Sequence, residues 1–301
     1  MRVIITGGTG AIGMPLSNEL VSAGHEVIVL SRNPANAPDT LSSQVAVIKW
    51  DAKTGDGWFD HINNDTAIIN LAGKNPANWR WTNSHKQQVL TSRLNAAHAV
   101  IDATQRADAK PAVLLQASAV GYYGETGQTE IREDAPAGHT WRAGVCVEWE
   151  AALQPVEAMG IRTVYLRIGI VLDTKSGALP PFILAGHLMG RQLGDGKQWI
   201  PWIHNDDVSG ALRYLMENDT LSGIFNITAP HPMQNRDFMW TLTAVLSRPS
   251  LFPVPAFALK IAMGEMSKTV LDSQRILPQA LLDGGYTFRY PSLDPALRDL
   301  L

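Results

Sequence analysis

The sequence predicts an α/β protein: a doubly wound parallel sheet with a small, mostly helical C-terminal cap. Three observations predict it. A β-branched run, Val3 to Thr6, passes directly into Gly7-Gly8-Thr9-Gly10-Ala11-Ile12-Gly13 and then into a helical pattern carried by Ile12, Leu16, Leu20 and Val21. Short apolar strands then alternate with helical stretches six times, the pattern of a parallel sheet covered on both faces. After Leu172 the pattern changes to Gly- and Pro-rich segments and a helical tail broken by prolines.

The glycine run carries the first functional expectation. Gly7, Gly10 and Gly13 are spaced G-x-x-G-x-x-G, a variant of the Rossmann fingerprint. The first glycine makes a tight turn, the middle one lets backbone approach a pyrophosphate, and the last allows close helix-strand packing. The following helix points its free N–H groups and positive dipole end at the phosphates.

Gly24 closes the first helix, and Glu26 to Leu30 gives the second strand, ending at Ser31-Arg32. An acid at this strand end accepts the ribose 2′-hydroxyl of NAD, whereas an arginine accommodates the 2′-phosphate of NADP. No acid stands here, and Ser31 and Arg32 supply a hydroxyl and a guanidinium, so the expected cofactor is NADP(H); the alternative is that Arg32 is a solvated surface charge. The third strand, Val45 to Ile48, is followed by Asp51, which either accepts from the adenine amino group or caps a turn. The fourth, Ala67 to Leu71, runs into Ala72-Gly73, small residues that let backbone lie against a cofactor.

Trp79-Arg80-Trp81-Thr82 precede a helix through Val89, Leu90, Arg93, Leu94 and Ala97. The fifth strand, Val113 to Ala117, delivers Ser118, with Tyr122, Tyr123 and Gly124 in the next loop. A helix is expected from about Val145 to Ala158 and a sixth strand from Thr163 to Ile168. Beyond the pattern change come Trp199 to Asp207, a helix from Val208 to Met216 and a last strand from Gly223 to Ile227. The division expected is a nucleotide-binding part over 1–175, completed by 203–228, with 176–202 and 229–301 forming the substrate cap.

Composition narrows the partners. A net charge of −3 gives no basic bias toward nucleic acid or anionic membrane. The single cysteine, Cys146, excludes an internal disulfide and fits a reducing compartment. The chain enters a strand at once, leaving no room for a signal peptide. Residues 251–266 are broken by Pro253, Pro255, Lys260 and Glu265 and do not make a bilayer span. The expectation is a cytoplasmic protein with a small-molecule substrate and no nucleic-acid or membrane partner; monomer and homodimer both remain open. Aromatic residues Trp79, Trp81, Trp199 and Trp202 either line a cleft or pack ordinarily. His204-Asn205-Asp206-Asp207 reads better as a helix cap than as a metal site, and no metal is expected.

Taken together, the Thr6-to-Gly13 loop, Asn70 to Gly73, Ser118 with its tyrosine loop, and Trp202 to Asp207 resemble the extended short-chain dehydrogenases/reductases. These are NAD(P)-dependent sugar-nucleotide epimerases and dehydratases. Arg80-Trp81-Thr82, Ser92-Arg93-Leu94, Glu148 to Ala152 and Leu271 to Pro278 resemble, more narrowly, the atypical 39U-type epimerase-family branch with its C-terminal domain of unknown function. The resemblance implies that Thr9 and Ile12 line the diphosphate and that Leu71 and Ala72 lie along the adenosine. It also implies that Arg93 reaches the phosphates and that Val171 stands near the nicotinamide.

Typical members pair a Ser or Thr with a Tyr-x-x-x-Lys helix, whose lysine lowers the phenol pKa for proton transfer. Here none of the six tyrosines is followed four residues later by lysine. Alignment on Glu150 puts Arg142 at the tyrosine's place and Cys146 at the lysine's. Arginine is no acid near neutral pH, and a neutral thiol supplies no charge. Ser118 survives, and Tyr122 or Tyr123 either substitutes as the acid or packs the loop. Two functions follow: an NADP(H)-dependent oxidoreductase or epimerase-like enzyme on a small polar, sugar-type substrate, or a non-catalytic NADP(H)-binding sensor or scaffold, with cell division as one setting.

Overall fold

Seven strands form one parallel sheet: β1 (Arg2–Thr6), β2 (Glu26–Ser31), β3 (Ala46–Lys49), β4 (Thr66–Asn70), β5 (Val113–Ala119), β6 (Arg162–Ile168) and β7 (Gly223–Ile227). The computed structural model describes residues 1–76, 81–175, 177, 179–188 and 190–301. The strand order is β3-β2-β1-β4-β5-β6-β7. It reverses direction between β1 and β4, the crevice where ligands bind open α/β sheets. Thr6 at the end of β1 lies opposite Leu30 of β2 and Asn70 of β4. The glycine run, Ser31 and Leu71 therefore emerge side by side.

Alternation along the strands explains both faces of the sheet. Val3, Ile5, Val27, Val29 and Ile69 pack under α1 (Gly13–Ser22), through Leu16 and Leu20, and under a helix at Asn205–Glu217, through Val208, Leu212 and Leu215. Ile4, Ile28, Ile68 and Leu114 face the other way, against Ala96, Ala97, Ala99, Val100 and Ala103 of α2 (Asn83–Arg106). Burying each of the larger aliphatic side chains contributes about 1.5–3 kcal/mol, which outweighs the modest helix propensity of any one segment.

The sixfold alternation expected from sequence is not what the chain does. Between β2 and β3 stands only a single 3-10 turn at Pro34–Asn36, and between β3 and β4 another at Phe59–His61. Residues 50–62 instead lie against α2: Trp58 is fully buried, and a Cβ on Gly55 would come within 2.7 Å of the Ala103 backbone. The small residues of α2 make room for that approach. The helix expected over 145–158 also differs. α3 runs Trp141–Ala151, started by the Thr140 hydroxyl accepting from the Ala143 amide, and a separate turn follows at Gln154–Glu157. Pro155 has no N–H to continue the ladder.

Outside the sheet a further core forms. It joins α4 (Leu179–His187), the strand Trp202–His204 that leads into α5 (Asn205–Glu217), α6 (Asn235–Val245) and α8 (Leu293–Leu300), with α7 (Ala256–Met263) between the last two along the chain. Leu172, Phe182, Trp202, Phe238, Leu242, Leu293 and Leu297 are buried together in it. Trp202 is thus core and lines no cleft, its indole donating to the His231 carbonyl at 3.2 Å. No described helix is long and apolar enough to cross a membrane.

Candidate functional site: a nucleotide cleft and a buried polar network

The glycine run is fixed by close approach. Gly7 has φ +71°, and a Cβ there would sit 3.0 Å from the Leu71 carbonyl. A Cβ on Gly13 would meet the Gly7 oxygen at 2.4 Å. Gly10 is different: its Cβ would approach the Gly7 oxygen at 3.2 Å and nothing else within 4 Å. Thus Gly7 and Gly13 answer to the fold, whereas the outer side of Gly10 is open. At the start of α1, Ile12 provides no side-chain cap, so the first amides of the helix are not served by a side chain. This is the cradle an anion needs.

Polar groups buried at the strand ends hold the floor. The Thr6 hydroxyl donates to Asn70 Oδ1 at 2.5 Å and accepts from the Ala72 amide at 3.1 Å, while Asn70 donates to Gln116 at 2.8 Å. Ala72 and Gly73 are thereby pinned beside the glycine run. A cleft of about 1200 Å³ opens there, lined by Gly7, Thr9, Ser31, Arg32, Ala72 and Gly73, with Lys74 and the Gln88, Ser92 and Asn95 positions of α2 on the far wall. Arg32 is exposed and, among the described residues, has no hydrogen bond or ion pair. Ser31 accepts only the Asn33 amide, at 3.3 Å.

Not every expected contact lies in this cleft. Asp51 caps a turn: its carboxylate takes the amides of Lys53 and Thr54 at 2.7 and 2.9 Å and the Thr54 hydroxyl at 3.1 Å. Its neighbours Trp50 and Ala52 line the cleft instead. Val171 stands in a short strand, Ile170–Leu172, opposite Ile203, and packs with Ile12 against the sheet core. Arg93, on α2, donates through Nη1 to the carbonyls of Lys74 (2.9 Å) and Val89 (3.0 Å). Its guanidinium lies 4.7 Å from the Trp149 ring centre.

Beyond β5 the chain builds a closed polar network. Ser118, 4% exposed, donates to Glu150 Oε1 at 2.5 Å. Glu150 is gripped in fork geometry by Arg167, Nε and Nη2 lying 3.0 and 2.9 Å from its two oxygens. The Arg167 guanidinium, 1% exposed, sits 3.4 Å from the Tyr122 ring centre and donates to the Tyr123 hydroxyl at 2.9 Å. That hydroxyl donates in turn to Asn226 at 2.7 Å. Burial pushes the Tyr123 phenol up to about 12 despite the nearby arginine. The Tyr122 hydroxyl, by contrast, has no protein partner among the described residues.

On α3, Arg142 pairs with Asp272 of the C-terminal segment. Cys146 is buried and leans its thiol on the Ala119 carbonyl at 3.6 Å. Gln274 fastens that same C-terminal segment to the tyrosine loop, its amide donating to the carbonyls of Val120 (2.9 Å) and Gly124 (2.6 Å).

Sequence comparison agrees with this architecture. Residues 3–228 match the NAD dependent epimerase/dehydratase family, and residues 254–300 match a domain of unknown function, DUF1731. The chain belongs to the NAD dependent epimerase/dehydratase family. It is 40% identical to the epimerase family protein YfhF of Bacillus subtilis, covering 100% of this chain and 98% of that one. It is 35% identical to the chloroplastic SDR39U1 homolog of Arabidopsis thaliana, over 100% of this chain and 87% of the relative. The crystal structure of human epimerase family protein SDR39U1 with NADPH superposes with a TM-score of 0.87 at 30% identity, covering 100% of this chain and 99% of that one.

Within the family frame, several expectations resolve. In the His204 to Asp207 run, His204 Nδ1 accepts the Asp206 amide at 3.1 Å, and Asp207 accepts the amides of Arg289 and Tyr290 at 2.7 and 2.8 Å. The run works inside the protein, joining the helix start to the C-terminal segment. Trp81 packs on Trp141 with ring centres 5.0 Å apart, and Trp199 lies beneath Arg275 at 4.6 Å. Trp79 and Arg80 lie outside the described residues. Sequence reasoning passed over Glu150 as a site residue and over Arg167 altogether. The available signal was an arginine inside an otherwise apolar strand, a residue buried only with a partner.

Proposed function

We propose that the protein is an NADP(H)-dependent oxidoreductase acting on a small polar, sugar-type molecule. The observation that carries the cofactor choice is the end of β2. A hydroxyl and an unpaired guanidinium, Ser31 and Arg32, stand at the cleft where an NAD site would place an acid. The resident cofactor is then held by Gly7, Thr9, Gly10, Ile12 and Gly13 at the diphosphate and by Leu71 and Ala72 along the adenosine, with the Gly73 backbone against it. Val171 stands on the nicotinamide side. NADPH in the human relative's structure supports the same choice. When bound, the nicotinamide supplies or accepts the hydride.

In this reading Ser118, whose hydroxyl proton goes to Glu150, orients the reacting oxygen by accepting from the substrate hydroxyl. Tyr122 is the better proton carrier of the two tyrosines, because its hydroxyl is uncommitted whereas that of Tyr123 is bonded in both directions. Residues 1–175 with 203–228 form the nucleotide-binding part, and 176–202 with 229–301 the substrate cap, a division supported by the separate core of the latter.

The test is calorimetric titration with NADPH and NADH, beside Arg32→Ala. Micromolar NADPH binding is expected, with at least about a tenfold loss in Arg32→Ala and little change for NADH. Equal binding of both cofactors, unaffected by the substitution, overturns the NADP reading. One observation favours a sensor without turnover: Ser118, Tyr123 and Arg142 are all bonded within the protein, and Cys146 is buried there. Oxidation of NADPH on addition of a cell metabolite extract, absent in Ser118→Ala, rules that reading out.

A further inference from the structure

The missing lysine leaves a question of charge. In the Tyr-x-x-x-Lys arrangement the ammonium lies beside the reacting group; here its place is held by Cys146, whose neutral thiol touches the Ala119 carbonyl next to Ser118. Four other cations around this half are already matched by carboxylates, and the neighbouring Lys74 is bonded to Gln88. Arg142 is paired with Asp272, Arg167 with Glu150, Arg275 with Glu130, and Lys86 with Glu265. Arg93 is not: among the described residues it has no carboxylate partner, and its two hydrogen bonds both leave from Nη1 to backbone carbonyls.

Its placement is specific. Trp149, under the guanidinium, lies one helical turn after Cys146 on α3, so Arg93 reaches from α2 to the α3 face that a lysine would have occupied. On its other side a Cβ at Gly73 would come 3.2 Å from the guanidinium carbon, which holds the group against the cleft floor. Five donors in a planar fork, two bonds used and no counter-charge make a cation still able to serve a ligand. Arg93 and Cys146 also perturb each other's ionisation across this gap, after the larger effect of burial on both.

We propose that Arg93 supplies from α2 the positive charge that the missing lysine would have supplied from α3, placing it beside the nicotinamide half of the cofactor. This rests on the NADP(H) reading above and deepens it. It differs from a plain phosphate contact in one measurable way. The oxidised nicotinamide carries a positive charge and the reduced ring does not, so a fixed cation beside it favours NADPH over NADP⁺. A cation on the diphosphate treats both forms alike.

The experiment titrates the full-length protein, Arg93→Gln and Arg93→Lys with NADPH, NADP⁺ and adenosine 2′,5′-bisphosphate, after thermal melts establish that the variants are folded. Arg93→Gln is expected to weaken NADPH by about tenfold and NADP⁺ clearly less, narrowing the ratio of their dissociation constants about three- to tenfold. The bisphosphate, which lacks the nicotinamide half, is expected to bind unchanged, and Arg93→Lys to keep most of the wild-type ratio. Equal weakening of NADPH and NADP⁺ makes Arg93 a phosphate ligand and overturns the proposal, as does no change in either. Failure of the wild-type protein to bind NADPH at all overturns the NADP(H) reading itself, and this proposal with it.

Discussion

Ser118 and Glu150 meet through an O–H···O⁻ bond of 2.5 Å, joining the end of the central strand β5 to the last turn of α3. Glu150 has no freedom to move, because Arg167 holds both of its oxygens. The serine hydroxyl is therefore aimed by a strand at one end and a buried ion pair at the other.

Removing one partner of that pair leaves the other charge buried. Arg167→Met is expected to cost about 3–5 kcal/mol, read as a fall in the denaturant midpoint. The double variant with Glu150→Gln is expected to regain part of the loss, since neither charge is then stranded. A single variant as stable as wild type contradicts the network.

The glycines separate fold from ligand. Gly13→Ala forces a Cβ into backbone and is expected to destabilise by about 1–3 kcal/mol. Gly10→Ala meets only one atom, at 3.2 Å, and is expected to melt within a few degrees of wild type while losing NADPH affinity. Melting curves and calorimetry on both variants test this; the reverse ranking refutes the open side of Gly10.

Cys146 is chemically quiet. Burial, with Glu150 nearby, pushes its thiol up to about 11, so little thiolate exists at neutral pH. A disulfide reagent at pH 7.5 is expected to leave the native protein unlabelled and to titrate one thiol after unfolding in guanidinium. Rapid labelling of the native protein speaks against its buried place on α3.

His204 makes stability depend on pH. Burial lowers its imidazole below the ordinary value of 6.5, against the pull of Asp206 and Asp299. The unfolded chain then protonates first, so this contribution is complete above pH 6.5 and shrinks as pH falls toward the folded value. The melting temperature is expected to drop between pH 7.5 and 5.5, and to drop less in His204→Asn, which keeps an acceptor at the helix start. An identical decline in both proteins assigns the effect elsewhere.

What could be read in the sequence was local. Strand, glycine turn and helix at residues 2–22 announce themselves by spacing, and the missing acid after β2 is visible by inspection. The short connections on either side of β3 were not legible, because Trp58 and Gly55 find their places only against α2, some 40 residues away. The polar network beyond β5 was least legible of all. Tyr123 meets Asn226 across 103 residues and Gln274 meets Val120 across 154, so neither of these pairings leaves a spacing to recognise. Arg32 and Ser118 stand out in the sequence as candidates because each lies at a strand end; the charge role proposed for Arg93 depends on which helix packs beside it.

The two bonds from Gln274 have a consequence for the order in which the molecule is made. Every strand of the main sheet has left the ribosome once Ile227 has, and the nucleotide cleft draws only on residues before that point. The loop carrying Tyr122 waits another 47 residues for the amide that ties it down. On a growing chain the residues of the cleft are therefore all made before the one that fastens the tyrosine loop, so the pocket is able to close while that loop is still untied, until the last tenth of the protein arrives.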